Sequence, residues 1–107
     1  MANISVVKPN GALHFFKYQG NGEQNPSGSN FAPNSGNQIG NGFQGNPQVF
    51  GGADGVIFVV KPNGALHFFK YLGNGEQDPS GSNFAPNSGN QIGNGFQGNL
   101  QVFGEHA

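Results

Sequence analysis

The chain repeats itself. Displaced by 53 positions, Lys8-Pro9-Asn10-Gly11 falls on Lys61-Pro62-Asn63-Gly64, and the match runs on to Gly104. Between Val6–Gly51 and Val59–Gly104 only three pairs differ: Gln19/Leu72, Asn25/Asp78 and Pro47/Leu100. A period near fifty residues marks supersecondary units that stack or close around an axis, because one unit cannot bury its apolar face alone. Two copies are too few to do either. The repeat therefore predicts a symmetric assembly of several chains.

Each repeat reads as β-structure. Val56-Ile57-Phe58-Val59-Val60 is an apolar, β-branched run of strand length, consistent with a strand buried on both faces. Asp54-Gly55 precedes it and Asn63-Gly64 follows, and both dipeptides supply the positive φ of tight two-residue hairpin turns. Ala65 to Tyr71 predicts a strand with Leu66 and Phe68 on one face and Ala65, Phe69 and Tyr71 on the other. Pro47 to Phe50, and its copy Leu100 to Phe103, predict a short strand ahead of the apolar one. Gln91 to Phe96 predicts a glycine-rich edge strand. A polar stretch with a lone Phe84 lies between Tyr71 and Gln91. No helix signal is present.

These elements make one unit a four-stranded antiparallel meander, and such sheets of about 40–50 residues set around an axis are β-propeller blades. A β-solenoid runs on shorter repeats without hairpins, and a trefoil-like arrangement needs a third copy. The expectation is an all-β propeller, with residues 1–107 forming a single two-blade unit: repeat 1 at about 4–51 and repeat 2 at about 57–104. The chain opens in the second strand of a blade and closes with a first strand, Leu100 to Gly104. That frame predicts strand donation to the next subunit and closure of a ring by a heterologous interface. Propellers need about four to eight blades, so a homo-oligomer is expected; six blades in a trimer is favoured, with dimer, tetramer and pentamer as the other assemblies.

Composition narrows the function. The 20 Gly and 7 Pro alone would suggest low complexity, but 11 Phe and a strict repeat argue for a packed fold. With four basic and five acidic residues there is no basic patch for nucleic acid and no cationic amphipathic helix for a membrane surface. Cysteine is absent, so disulfides and thiolate metal sites are excluded. Neither a signal-peptide pattern nor a long apolar run is seen, and a soluble protein of unspecified location is expected.

Candidates for chemistry are few. Gly40-Asn41-Gly42-Phe43-Gln44-Gly45 and its copy from Gly93 spell G-x-G-x-x-G, yet a dinucleotide site needs a helix after that motif and none follows. His14 and His67 sit mid-strand beside aromatics with no second ligand at metal spacing, and read as packing residues. Glu23 and Glu76 lack the partner acid that glycoside hydrolysis requires. No serine lies in a nucleophile elbow. The chain is expected to be no enzyme, and to carry no cofactor or metal.

The series Val-Phe-Gly-Gly-Ala-Asp-Gly-Val-Ile-Phe-Val-Val-Lys-Pro-Asn-Gly-Ala-Leu-His-Phe-Phe-Lys-Tyr, with the later Ser-Asn-Phe and Gln-Ile-Gly-Asn-Gly-Phe-Gln-Gly, resembles the blade pattern of tachylectin-type β-propeller lectins. The resemblance spans both repeats. It implies non-catalytic binding of N-acetylated sugars, such as N-acetylglucosamine, in shallow pockets between blades. Where that family carries Asn-Trp and Gly-Trp, this chain has Asn30-Phe31 and Asn83-Phe84, then Gly42-Phe43 and Gly95-Phe96. Phenylalanine keeps an apolar face for a sugar ring and loses the indole N–H. The implied ligand residues are Asn30, Phe31, Asn83 and Phe84, with Asn41 and Asn94 beside them in the glycine-rich strand. The loops from Gln24 and Gln77 add amides and hydroxyls of the kind that pair with sugar hydroxyls. The rival is that each loop folds on itself with its Phe as a plug. Near-identity of the repeats also fits an engineered or reconstructed self-assembling scaffold with no retained ligand.

Overall fold

A computed structural model describes residues 2–52 and 54–99. It holds seven strands and, among the described residues, no helix: β1 (Ala2–Val7), β2 (Leu13–Tyr18), β3 (Asn37–Gly40), β4 (Gln48–Gly51), β5 (Val56–Val60), β6 (Leu66–Lys70) and β7 (Asn90–Gly93). They form two antiparallel sheets, a three-stranded β1-β2-β3 and a four-stranded β4-β5-β6-β7. The second is a complete meander in chain order. The first has the same meander without an equivalent of β4, and the segment expected to fill that place, Leu100 to Gly104, lies outside the described residues.

Turn chemistry sets the registers. Asp54 (φ 59°) and Gly55 (φ 81°) are both left-handed, as a hairpin turn between β4 and β5 requires. The Lys-Pro-Asn-Gly turns differ from the two-residue form expected. Only their glycines have positive φ, 88° at Gly11 and 89° at Gly64. Proline holds φ near −65° and favours the leading position of a type I turn, which a left-handed glycine then closes. The Gly11 N–H donates to Lys8 O (2.8 Å), the Lys8 N–H to Ala12 O (2.9 Å), and the Asn10 side chain accepts from the Ala12 N–H (3.0 Å). From these turns follow the pairings Val7↔Leu13 and Val60↔Leu66.

The third strand ends one residue sooner than expected, at Lys70. Tyr71 makes an isolated bridge to Phe84, as Tyr18 does to Phe31. Each long loop is thereby pinned to its own sheet. In the first repeat the Gln19 N–H donates to Asn30 O and the Ala32 N–H to Lys17 O. The fourth strand is shorter than expected and stops at Gly93; beyond it, the Phe96 N–H donates to Gly64 O (3.1 Å).

The core lies between the sheets. Leu13, Phe15, Ile39 and Phe43 from the first pack against Ile57, Val59 and Tyr71 from the second. β5 is less enclosed than expected: Ile57, Val59 and Val60 are buried, while Val56 and Phe58 are half-buried. Phe58 stacks instead on Phe50 across β4, with ring centroids 5.4 Å apart. One consequence of burying only the facing sides is that identical residues have unlike surroundings. Ile39 is 1% exposed and its copy Ile92 is 54% exposed; Ile57 is 3% exposed and Ile4 is 44% exposed.

Candidate functional site

The seam between the sheets is built by the second long loop. Residues 74–81 leave β6, cross the gap and lie along 34–41 of the first sheet. Two asparagine amides reach across, Asn34 Nδ2 to Asn74 O (3.2 Å) and Asn37 Nδ2 to Gly75 O (2.9 Å). Gln38 is held twice, its N–H donating to Gln77 Oε1 (3.2 Å) and its carbonyl accepting from the Asp78 N–H (2.8 Å). Gly75 (φ 94°) passes so close to Phe15 that a β-carbon there would stand 2.4 Å from the ring. The Tyr71 hydroxyl accepts from the Gly75 N–H at 2.7 Å and fixes this approach.

A cleft of about 230 Å³ opens beside the crossing. Gly40, Asn41 and Phe43 line it from the first sheet, and Phe69, Phe84, Ser80 and Ser88 from the second. Its aromatic floor is ordered: Phe43 and Phe69 have centroids 5.1 Å apart, and Phe84 meets Phe69 edge-on at 6.0 Å and 76°. Asn41 Nδ2 donates to Pro79 O, tying the rim to the crossing loop. Among the described residues no charged side chain lines the cleft. Neutral amides and hydroxyls over aromatic rings suit a hydroxylated, uncharged ligand with an apolar face.

Of the six residues singled out from the sequence, this cleft brings together two, Asn41 and Phe84, one from each repeat. Asn83 is half-buried beside Phe84, and its carbonyl accepts from the Leu72 N–H (2.8 Å). Asn30 and Phe31 lie at the far side of the first sheet, where Phe31 packs on Phe16 (5.9 Å) and Tyr18 (5.5 Å). Asn94 is exposed directly after β7 and does not line this cleft. Phe69 was not foreseen, and reads only as a strand residue. Ser80 and Ser88 belong to the loop from Gln77 whose hydroxyls were expected to serve a sugar, but nothing local singles these two out. His14 and His67 each hold a loop carbonyl, Gly36 O at 2.8 Å and Gly89 O at 2.9 Å from Nδ1. Among the described residues no three His, Cys, Asp or Glu gather as metal ligands, and no helix is long and apolar enough to cross a membrane.

Asp78 organises the crossing loop. Its carboxylate accepts from the Ser80 and Ser82 hydroxyls and from their backbone N–H groups at 3.2 and 3.1 Å. Those hydroxyls, and then the N–H groups, hold its pKa below the ordinary 3.8. Asn25, the corresponding residue, instead donates to Ser29 Oγ and accepts from Ser27. A lowered carboxyl pKa adds stability above the unfolded value, and that stability is lost as pH falls through the folded one. The wild-type protein is therefore expected to exceed Asp78→Asn in urea midpoint at neutral pH, the gap closing as pH drops below about 4. Tyr71 works in the other direction. Burial raises its pKa against the opposing Gly75 N–H, and the charges of Glu76 and Asp78 add to the rise. Its contribution is present below pH 10 and lost as pH climbs through the raised value.

No protein-family model, curated protein or solved structure matches the chain.

Proposed function

We propose that this protein is a non-catalytic lectin that recognises N-acetylated sugars, such as N-acetylglucosamine, at clefts between neighbouring β-sheet units. In the same reading the units are propeller blades, and several chains close one ring, six blades in a trimer. The observation that carries the carbohydrate reading is the cleft wall: Asn41, Ser80 and Ser88 around Phe43, Phe69 and Phe84, with no ionisable group among them. A sugar's C–H face stacks on such rings while its hydroxyls and acetamido group pair with amides and hydroxyls. Several sites on one particle gain avidity on a glycan-coated surface. The resemblance of the blade pattern to tachylectin-type lectins points the same way.

A second reading, a self-assembling scaffold without ligand, is favoured by how fully the cleft residues serve the seam. Asn41 already bonds Pro79, and Phe84 already packs on Phe69 and Tyr71.

Calorimetry with N-acetylglucosamine, run beside native mass measurement, separates the two. Phe31→Ala with Phe84→Ala is expected to abolish binding at unchanged particle mass. Asn41→Ala with Asn94→Ala is expected to weaken it about tenfold, and Asn30→Ala with Asn83→Ala by a similar step, the value of roughly one hydrogen bond. An intact assembly with no affinity for any N-acetylated sugar leaves the scaffold.

A further inference from the structure

Each face of the seam inside the chain has a copy elsewhere on the same chain, and both copies are more open to solvent than the originals. On the second sheet the copies of the buried donors stand open: Ile92 is 54% exposed where Ile39 is 1%. Leu66 and Phe68 are half-buried where Leu13 and Phe15 are buried. On the first sheet the copies of the acceptors are also open, Ile4 at 44% against 3% for Ile57. The loop shows the same asymmetry. Residues 74–81 cross to the first sheet, whereas residues 21–28, nearly identical in sequence, are exposed throughout. A β-carbon at Gly75 would strike Phe15, but at Gly22 nothing lies within 4 Å. Asn37 spans the seam to Gly75 O, while Asn90 turns back to Asn87 Oδ1 at 3.5 Å.

We infer that the 21–28 loop and the Ile4 face of one copy dock on the Ile92 face of another, repeating the internal seam head to tail. The occupant is a second copy because the complementary surface is on the chain itself. The two faces differ, so the contact is heterologous and propagates until it closes. Its pairings follow by offset: Gln24 takes the place of Gln77 against the Gln91 N–H, and Gly22 passes over Phe68 as Gly75 passes over Phe15. Chain direction agrees, since residues 43–51 lead from the first sheet across the internal seam into β4, and residues 96–104 repeat that sequence with one change, Pro47 to Leu100. The joint also completes a second cleft, with Asn94 and Phe96 from one copy and Phe31, Ser27 and Ser35 from the next. Only the ring-closing part of the proposed function supports this inference; carbohydrate binding does not enter it.

Two singly disabled chains test it. Ile92→Asp spoils one face and Ile4→Asp the other, each at a site that solvent reaches in the single chain and both with the same charge, so that the two spoiled faces also repel each other. A charge buried without a partner costs enough to weaken association by about a hundredfold or more. Sedimentation is expected to show wild type as a closed oligomer and each variant as a folded monomer at micromolar concentration. Mixed, they form a one-to-one dimer and nothing larger, since each retains the face the other lacks. A wild-type monomer overturns the inference, as does either variant assembling unchanged or a mixture of folded monomers that fails to pair. A variant that unfolds overturns it too, by placing that isoleucine in the core of the single chain. Sugar binding lost with assembly intact counts against the lectin reading alone.

Discussion

Removal of residues 100–107 is expected to turn a defined soluble assembly into aggregate. In the second sheet β4 pairs along the whole of β5, Gln48↔Val60 to Gly51↔Ile57. In the first sheet β1 pairs with β2 on one side, and among the described residues no strand pairs with its other side. Gln101-Val102-Phe103-Gly104 repeats the sequence of β4 without change, so by offset its partners are Val7 to Ile4. Placed there by a neighbouring copy, it would satisfy the free ladder and bind copies through main-chain hydrogen bonds. Without it, β1 presents unpaired N–H and C=O groups together with the exposed Ile4, the edge that recruits further strands. Light scattering and native mass of the truncated chain check this. A soluble particle of unchanged mass would refute strand donation.

The fold was legible wherever a local rule dictated the conformation. Val56 to Val60 became β5 with the bounds expected, because a β-branched run between two turn dipeptides has no competing structure. Asp54-Gly55 gave its turn for the same reason. The Lys-Pro-Asn-Gly turn was foreseen as a turn but not as its type, since proline has no N–H to close a pair around a two-residue Asn-Gly loop and its fixed φ suits the leading position of a type I turn. Burial was far less legible. Ile39 and Ile92 sit in one sequence context, and their difference in exposure arises from which side of the chain has a neighbouring sheet. No window of sequence holds that information; only the order of units does. The candidate site shares this character. Asn41 and Phe84 were singled out separately in different repeats, and their meeting depends on residues 74–81 crossing the seam. Ser80 reaches the cleft by that same crossing, whereas Ser88 is held at the end of β6, where its hydroxyl accepts from the Lys70 N–H (3.0 Å). Ser5, which replaces the counterpart of Phe58, loses a ring that in the second sheet stacks on Phe50. Nothing in the described structure explains that substitution.

Phe43→Ala is expected to lower unfolding free energy by about 3–5 kcal/mol, the usual cost of deleting a buried aromatic ring from a core. The ring is 7% exposed and reaches across the seam to Phe69, 5.1 Å away between centroids. It is held there by the Phe43 N–H donating to Gly11 O (3.1 Å), so the first sheet's own turn fixes its position. Shrinkage of the site cannot fill the gap easily, because the backbone on one side is anchored to that turn and on the other to β6. Domains of this size are stable by about 5–15 kcal/mol, so the loss takes a large share of the whole. Because the two sheets bury their apolar faces against each other, they are expected to melt in one transition, and the variant should shift its urea midpoint without splitting it. The same substitution removes a wall of the cleft, so affinity for any ligand held there should fall together with stability. Loss of less than about 1 kcal/mol, or two separate transitions in the wild type, would mean that the sheets fold independently and that the seam is not their core.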